Sequence, residues 1–257
     1  MQILKLGGSV ITNKERFFSV NKENIKRLAG EIAESDSGPL VIVHGGGSYG
    51  HPVAKKYMIS EGLKNTNQLI GFSKTHQAMT QLNQIVVDIL LEKNIPAFGL
   101  SASSMLVTEK KRLIEFDHSI IRQLLDIGLI PVLYGDAVLD SEQGVAILSG
   151  DQLVVKLAVN LGAKRVIFGS DVDGVFNSNP KVHREAELIP KISLSTCNAE
   201  VTETVYTDVT GGMKGKLAEA KNAVKEGCEV LFLNATIENR VKKALKGEKV
   251  MGTILTL

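Results

Sequence analysis

His44-Gly45-Gly46-Gly47-Ser48-Tyr49-Gly50-His51-Pro52 follows directly on the apolar run Leu40-Val41-Ile42-Val43. The run has the length and composition of a buried strand. The loop after it places four glycines within six positions, which leaves the main chain bare enough for a ligand to approach closely. Successive exposed N–H groups make a concavity suited to an anion. A helix starting near Pro52, a residue favoured in the first helical turn, would add its positive end. Strand, glycine loop and helix in this order form the unit of an open α/β sheet, with ligands at the carboxyl ends of the strands. A glycine-rich structural turn beside a solvated histidine fits the same residues, so the rest of the chain has to decide.

The unit recurs. Residues 3–6 read as a strand that stops at Gly7-Gly8-Ser9, with Lys5 just before the glycines. Lys14 follows in the polar segment Thr12-Asn13-Lys14-Glu15-Arg16, a loop by composition. It could fold its charge back toward Gly7 and Gly8, or be merely solvated. From Asn21, a plausible N-cap, the residues Ile25, Leu28, Ala29, Ile32 and Ala33 recur at helical spacing up to Gly38-Pro39. Residues 66–93 read as one long helix or two joined ones, with His76 and Asn83 serving either as satisfied core groups or as the lining of a substrate groove.

Residues 96–100 and 130–134 read as strands, 118–127 as a helix, and 137–139 with 145–148 as a hairpin about a polar turn. Ser149-Gly150-Asp151 opens a helix through residues 153–161, and Asp151 is either its cap or an acid facing the loops. Residues 164–168 form a strand that runs into Asp171-Val172-Asp173-Gly174, where the two acids hold Mg²⁺ or water, or make an Asx turn. Residues 177–207 are polar and irregular, as in a flap. Gly211-Gly212-Met213-Lys214-Gly215-Lys216 then opens a helix with two lysines at its positive end, which is unfavourable unless an anion binds there. Strands over 228–233 and 252–255 enclose a helix over 238–245. The alternation predicts a mostly parallel sheet covered on both faces.

A chain of 257 residues with 44% hydrophobic content has ample core for one large domain or two lobes. A net charge of +2, from 30 basic and 28 acidic residues, makes no general case for nucleic acid or an anionic membrane as partner. Cys197 and Cys228 stand too far apart for a local metal knuckle, and a reducing, cytoplasmic setting fits them. The first residues enter a strand at once, without signal-peptide features, and no apolar run approaches the roughly 20 residues of a membrane span.

Gly45, Gly47 and Gly50 satisfy G-x-G-x-x-G, but the second strand and acid of a dinucleotide unit do not follow. The G-x-x-x-x-G-K-[ST] loop is absent as well. Counting back from Gly215-Lys216-Leu217 reaches Thr210, and Leu217 has no hydroxyl.

Five stretches together resemble the amino-acid kinase family, and within it the archaeal-type isopentenyl phosphate kinase branch. They are Lys5-Leu6-Gly7-Gly8-Ser9, Val43 to Gly47 continuing to Gly50-His51-Pro52, Ser149-Gly150-Asp151, Asp171 to Val175, and Asp208 to Lys214. The histidine after the glycine loop is the specific feature. It separates isopentenyl phosphate and fosfomycin kinases from relatives acting on acetylglutamate, aspartate, carbamate or UMP.

The resemblance implies an open αβα sandwich, with an acceptor-binding lobe over about residues 1–150 and an ATP-binding lobe over about 151–257. It further implies a homodimer, ATP with Mg²⁺ carried on its phosphates, no metal ligands from the protein, and phosphoryl transfer to a phosphate or phosphonate oxygen. The expected acceptor is isopentenyl phosphate, feeding isoprenoid synthesis. Fosfomycin or another small phosphonate or phosphate monoester is the alternative, and a non-catalytic oxyanion binder a third reading. Carried onto matching positions, Lys5 with Gly7, Gly8 and Ser9 would lie along the transferred phosphoryl group, and Lys14 between donor and acceptor. Gly46, Gly47 and Gly150 would supply N–H groups and His51 a hydrogen bond to the acceptor phosphate. Asp151 would orient Lys5 and Lys14, while Asp171, Gly212 and Lys216 would face ATP. Phe72, Met79 and Leu82 are available for a prenyl tail. Asn13 stands where relatives commonly carry aspartate.

Overall fold

A computed structural model of the chain describes residues 1–13, 15–194 and 211–257; Lys14, Cys197 and residues 208–210 lie outside them. The first strands are β1 (Gln2–Leu6), β2 (Leu40–His44) and β3 (Ala97–Gly99). There follow β4 (Leu106–Glu109), β5 (Arg112–Phe116), β6 (Ile130–Tyr134), β7 (Ala137–Asp140), β8 (Gly144–Ile147) and β9 (Arg165–Ser170). The last are β10 (Lys191–Ser193), β11 (Glu229–Asn234) and β12 (Thr253–Thr256). The helices are α1 (Gly8–Ile11), α2 (Lys22–Ala33), α3 (Gly47–Lys56), α4 (Asn67–Leu91), α5 (Ser119–Asp126), α6 (Gly150–Leu161), α7 (Gly211–Lys225) and α8 (Arg240–Leu245).

Eight strands form one sheet in the order β10-β12-β11-β9-β1-β2-β6-β3, parallel except where β11 meets β12. Its central strands are apolar on both faces, and the period of two sorts them into two cores. Ile3, Val41, Val43 and Phe168 pack with Leu153 and Leu157 of α6 and Leu217 of α7. Leu4, Ile42 and Ile167 pack on the other face with Ile25 and Leu28 of α2, Leu82 and Val86 of α4, and Val241 of α8. The result is a mostly parallel sheet covered on both faces, as the alternation of elements predicts, and the open αβα sandwich that the resemblance implies. Residues 2–134 build one half of the sheet and residues 165–256 the other.

Register sets where the loops fall. Leu6 pairs with His44 on one side and with Gly169 on the other, so β1, β2 and β9 end level. The glycine loops after β1 and β2 and the acidic turn after β9 therefore open at one edge.

Three local expectations need correction. The helix after the second glycine loop begins at Gly47, not near Pro52, which is the sixth helical residue. Proline inside a helix leaves the carbonyl four residues back without its intrahelical donor. Here that carbonyl belongs to Ser48, and it accepts from the Phe18 N–H at 3.1 Å instead. The second correction is a separate sheet, β5-β4-β7-β8, in which β4 and β5 form a hairpin absent from the sequence reading. Its turn, Lys110-Lys111, takes φ of +49° and +65° without the usual glycine or asparagine. The nearly buried Asp140 carboxylate holds it by accepting from both lysine N–H groups, at 3.2 and 2.8 Å.

The third lies in residues 177–207, read as an irregular flap: Lys191–Ser193 form the edge strand β10, parallel to β12, and residues 195–207 lie outside the described residues. Other elements agree more closely with the reading. Asn21 caps α2, its side chain accepting from Asn24 N–H at 3.1 Å, although the helix ends at Ala33, before Gly38. Residues 66–93 contain one continuous helix, and 130–134 coincides with β6.

Candidate active site

The two glycine loops meet backbone to backbone. A Cβ on Gly8 would stand 2.5 Å from the Gly47 nitrogen, and one on Gly47 would stand 2.0 Å from Thr12 Oγ1, with φ at +46°. Only glycine allows that approach. Above the contact opens a cleft of about 1180 Å³ whose walls include Lys5, Gly7, Gly8, Ser9, Gly46, Gly47, His51, Gly150, Asp151, Asp171, Gly212 and Lys216. These are all the phosphate-binding and catalytic residues expected from the sequence except Lys14, which lies outside the described residues.

A charge cluster lies at the floor. Lys5 Nζ stands 2.8 Å from Asp151 Oδ1, and Lys216 Nζ 3.3 Å from Asp151 Oδ2. Asp151 sits in the first turn of α6 but is not its cap. Ser149 Oγ takes that role by accepting from the Asp151 N–H at 3.1 Å, which leaves the carboxylate for the lysines. The second partner is Lys216, 65 residues further along the chain, rather than a group adjacent in sequence. Burial opposes ionisation of Asp151, but the charges of Lys5 and Lys216 outweigh it and hold the carboxyl below its ordinary value. Burial lowers the pKa of Lys5, with Asp151 opposing the shift. Two cations share one anion, so the cluster carries a net positive charge facing the cleft, at the N-terminal ends of α6 and α7.

His51 lies on α3 across the cleft. The residue keeps exposed surface, yet loss of hydration at its ring and the charges of Lys5 and Lys216 push its pKa down. A neutral imidazole there still offers one N–H donor. His44, fully buried at the end of β2, is held down to about 4, chiefly by burial. Its Nδ1 is 3.1 Å from the Gly45 carbonyl and its Nε2 3.2 Å from Asn83 Nδ2. Asn83 is thus a satisfied core group, donating also to the Val132 carbonyl. His76 pairs instead with the buried Asp136 at 2.7 Å, and that hydrogen bond raises its pKa.

On the far side Asp171 accepts from Ser9 Oγ at 3.0 Å and from Lys181 Nζ at 2.6 Å. Asp173 turns away to Asn234 and Arg240, so the two acids do not converge. Of the side chains expected for an apolar tail, Met79 lines the cleft. Leu82 is buried in the core beneath and Phe72 is not part of the lining, while Met58 and Ile147 are. Lys181 and Asp136 escaped the sequence reading. Lys181 lies in an aperiodic segment, and Asp136 had only its place after a strand to mark it.

A sequence profile described as the amino acid kinase family matches residues 1–234. Isopentenyl phosphate kinase of Methanothermobacter thermautotrophicus is 40% identical, over 100% of this chain and 99% of the relative. That of Methanocaldococcus jannaschii is 37% identical, over 98% and 97%. A crystallographic structure of isopentenyl phosphate kinase superposes with a TM-score of 0.90 at 38% identity, covering 100% of both chains.

Proposed function

Because the chain belongs to the amino acid kinase family, we propose that it transfers the γ-phosphoryl group of ATP to isopentenyl phosphate, giving isopentenyl diphosphate. The near full-length likeness to isopentenyl phosphate kinases supports this acceptor. The observation that carries it is the pairing, across one cleft, of His51 with the Lys5–Asp151–Lys216 cluster.

The attacking group is a phosphate oxygen, already anionic, so no general base is required. Catalysis then consists of positioning and of electrostatic relief for the charge on three crowded phosphoryl groups. His51 in neutral form donates a hydrogen bond to the acceptor phosphate, assisted by the N–H groups of Gly46, Gly47 and Gly150. Lys5, oriented by Asp151, lies along the transferred group with Gly7, Gly8 and Ser9. Asp171, Gly212 and Lys216 face the nucleotide, and Lys14 neutralises charge between donor and acceptor. Met79, Met58 and Ile147 offer apolar wall to the prenyl tail.

Among the described residues no group of three or more His, Cys, Asp or Glu side chains could hold a metal. Mg²⁺ enters this reading as an ion carried on the ATP phosphates, a mode suited to its preference for retained water. A homodimer, a cytoplasmic location, and an acceptor lobe over about 1–150 facing an ATP lobe over about 151–257 belong to the same proposal. The split of the sheet between residues 2–134 and 165–256 supports the lobes. No helix among the described residues is long and apolar enough to cross a membrane.

Steady-state turnover with ATP and either isopentenyl phosphate or fosfomycin tests the acceptor. A higher kcat/KM for isopentenyl phosphate is expected. Turnover of fosfomycin alone would move the protein to the sister branch, and turnover of neither would favour an oxyanion binder.

A further inference from the structure

Every polar group of Ser48 is engaged by one neighbouring segment. Its N–H donates to Thr12 Oγ1 at 3.0 Å. Its hydroxyl donates to the Ser19 carbonyl at 3.1 Å and accepts from the Ser19 N–H at 3.3 Å. Its carbonyl accepts from the Phe18 N–H at 3.1 Å, a bond available because Pro52 has no N–H to offer it.

The segment so held runs from Thr12 to Val20, which pair as an antiparallel bridge, and the Asn13 N–H donates to the Ser19 carbonyl at 2.9 Å. In sequence it carries Lys14. Phe18 sits at φ +51°, a strained conformation for a side chain of its size. Its ring stands edge-on to Tyr49, centroids 5.2 Å apart. Thr12 Oγ1, besides accepting from Ser48, donates to the Gly8 carbonyl at 2.7 Å. One chain of hydrogen bonds therefore joins the first glycine loop, the 12–20 hairpin and the first turn of α3.

We infer that Ser48 is a positioning residue, which with Pro52 and Phe18 clasps the 12–20 hairpin onto the acceptor loop so that both keep one geometry during transfer. The hydroxyl is occupied by the hairpin and takes no part in chemistry. The inference rests on the proposed kinase reading, in which a displacement of about 1 Å can cost roughly a hundredfold in rate. It also makes sense of a proline inside a helix: the carbonyl that the proline frees is the clasp's anchor.

Two variants separate this role from plain stability. Ser48→Ala removes both hydroxyl bonds. Pro52→Ala supplies a helical N–H that draws the Ser48 carbonyl away from Phe18, while improving helix propensity. Each is expected to lower kcat about tenfold or more, the equivalent of a single net hydrogen bond, with KM for ATP changed less than about twofold. The melting temperature of Pro52→Ala should stay level or rise. Hydrogen exchange should quicken at the Phe18 and Ser19 amides in Ser48→Ala, and at Phe18 in Pro52→Ala, with β1 and β2 unchanged. Unaltered exchange and kcat in both variants would overturn the inference. So would a fully active Pro52→Ala beside a Ser48→Ala whose loss merely tracks its folded fraction. Should the wild type fail to phosphorylate isopentenyl phosphate, the kinase reading falls and the exchange data alone decide the clasp.

Discussion

Acidification should destabilise this protein through His44. The ring is fully buried at the end of β2, with its Nδ1 beside the Gly45 carbonyl and its Nε2 facing an Asn83 amide N–H. One proton on Nδ1 satisfies both contacts, and a second, on Nε2, would oppose donor to donor. Burial first, and the charge of Lys5 in addition, hold the pKa at about 4 against an ordinary 6.5. The unfolded chain thus takes up a proton near pH 6.5 that the folded chain refuses until about pH 4. Stability from this residue is fully present above pH 6.5 and is lost as pH falls through that window. At about 1.36 kcal/mol per pH unit the loss comes to roughly 3 kcal/mol, or about 6–12 °C in melting temperature for a chain of this size. Urea unfolding of the wild type and of His44→Gln at pH 7, 6, 5 and 4 isolates it, because other titrating groups cancel in the difference. The variant should be less stable at pH 7, having lost the stacking of His44 on Tyr134, but its stability should fall less steeply. Parallel curves between pH 6.5 and 4 would refute the reasoning.

Three further outcomes concern the cleft. His51→Ala should weaken binding of isopentenyl phosphate at least about tenfold, the effect of a hydrogen bond to a charged group, and leave ATP binding nearly intact in calorimetry; equal losses in both would remove its assigned role. Lys14→Ala should lower kcat more than it raises either KM, since its target is charge in the transition state; an unchanged kcat would exclude it. Asp151→Asn leaves Lys5 and Lys216 facing each other without their anion, so unliganded protein should lose about 3 kcal/mol or more in denaturant titrations. ATP should then raise its melting temperature more than it does that of the wild type, and an undisturbed melting temperature without ligand would count against the cluster.

Much of the sandwich is legible in the sequence because β1, β2, β9 and β11 are short apolar runs bounded by glycine or acid, a pattern that burial on both faces produces. The glycine loops are legible for the same local reason. What is not legible depends on partners distant in sequence. Pro52 looks like a helix start because the Phe18 N–H that tolerates it inside the helix lies 34 residues earlier. The Lys110-Lys111 turn carries no turn signature because Asp140, not a glycine, stabilises it. Asp151 resembles a cap until Ser149 is seen to fill that place and Lys216 arrives from α7. Lys181 reaches Asp171 from a segment with no periodicity to read.

Phosphorus-31 magnetic resonance of the protein incubated with ATP, Mg²⁺ and isopentenyl phosphate tests the central claim most directly. The acceptor's single phosphate resonance should be replaced by two coupled doublets of a diphosphate as ATP becomes ADP, one for one. Release of inorganic phosphate with the acceptor resonance unchanged, or no consumption of ATP, would contradict it.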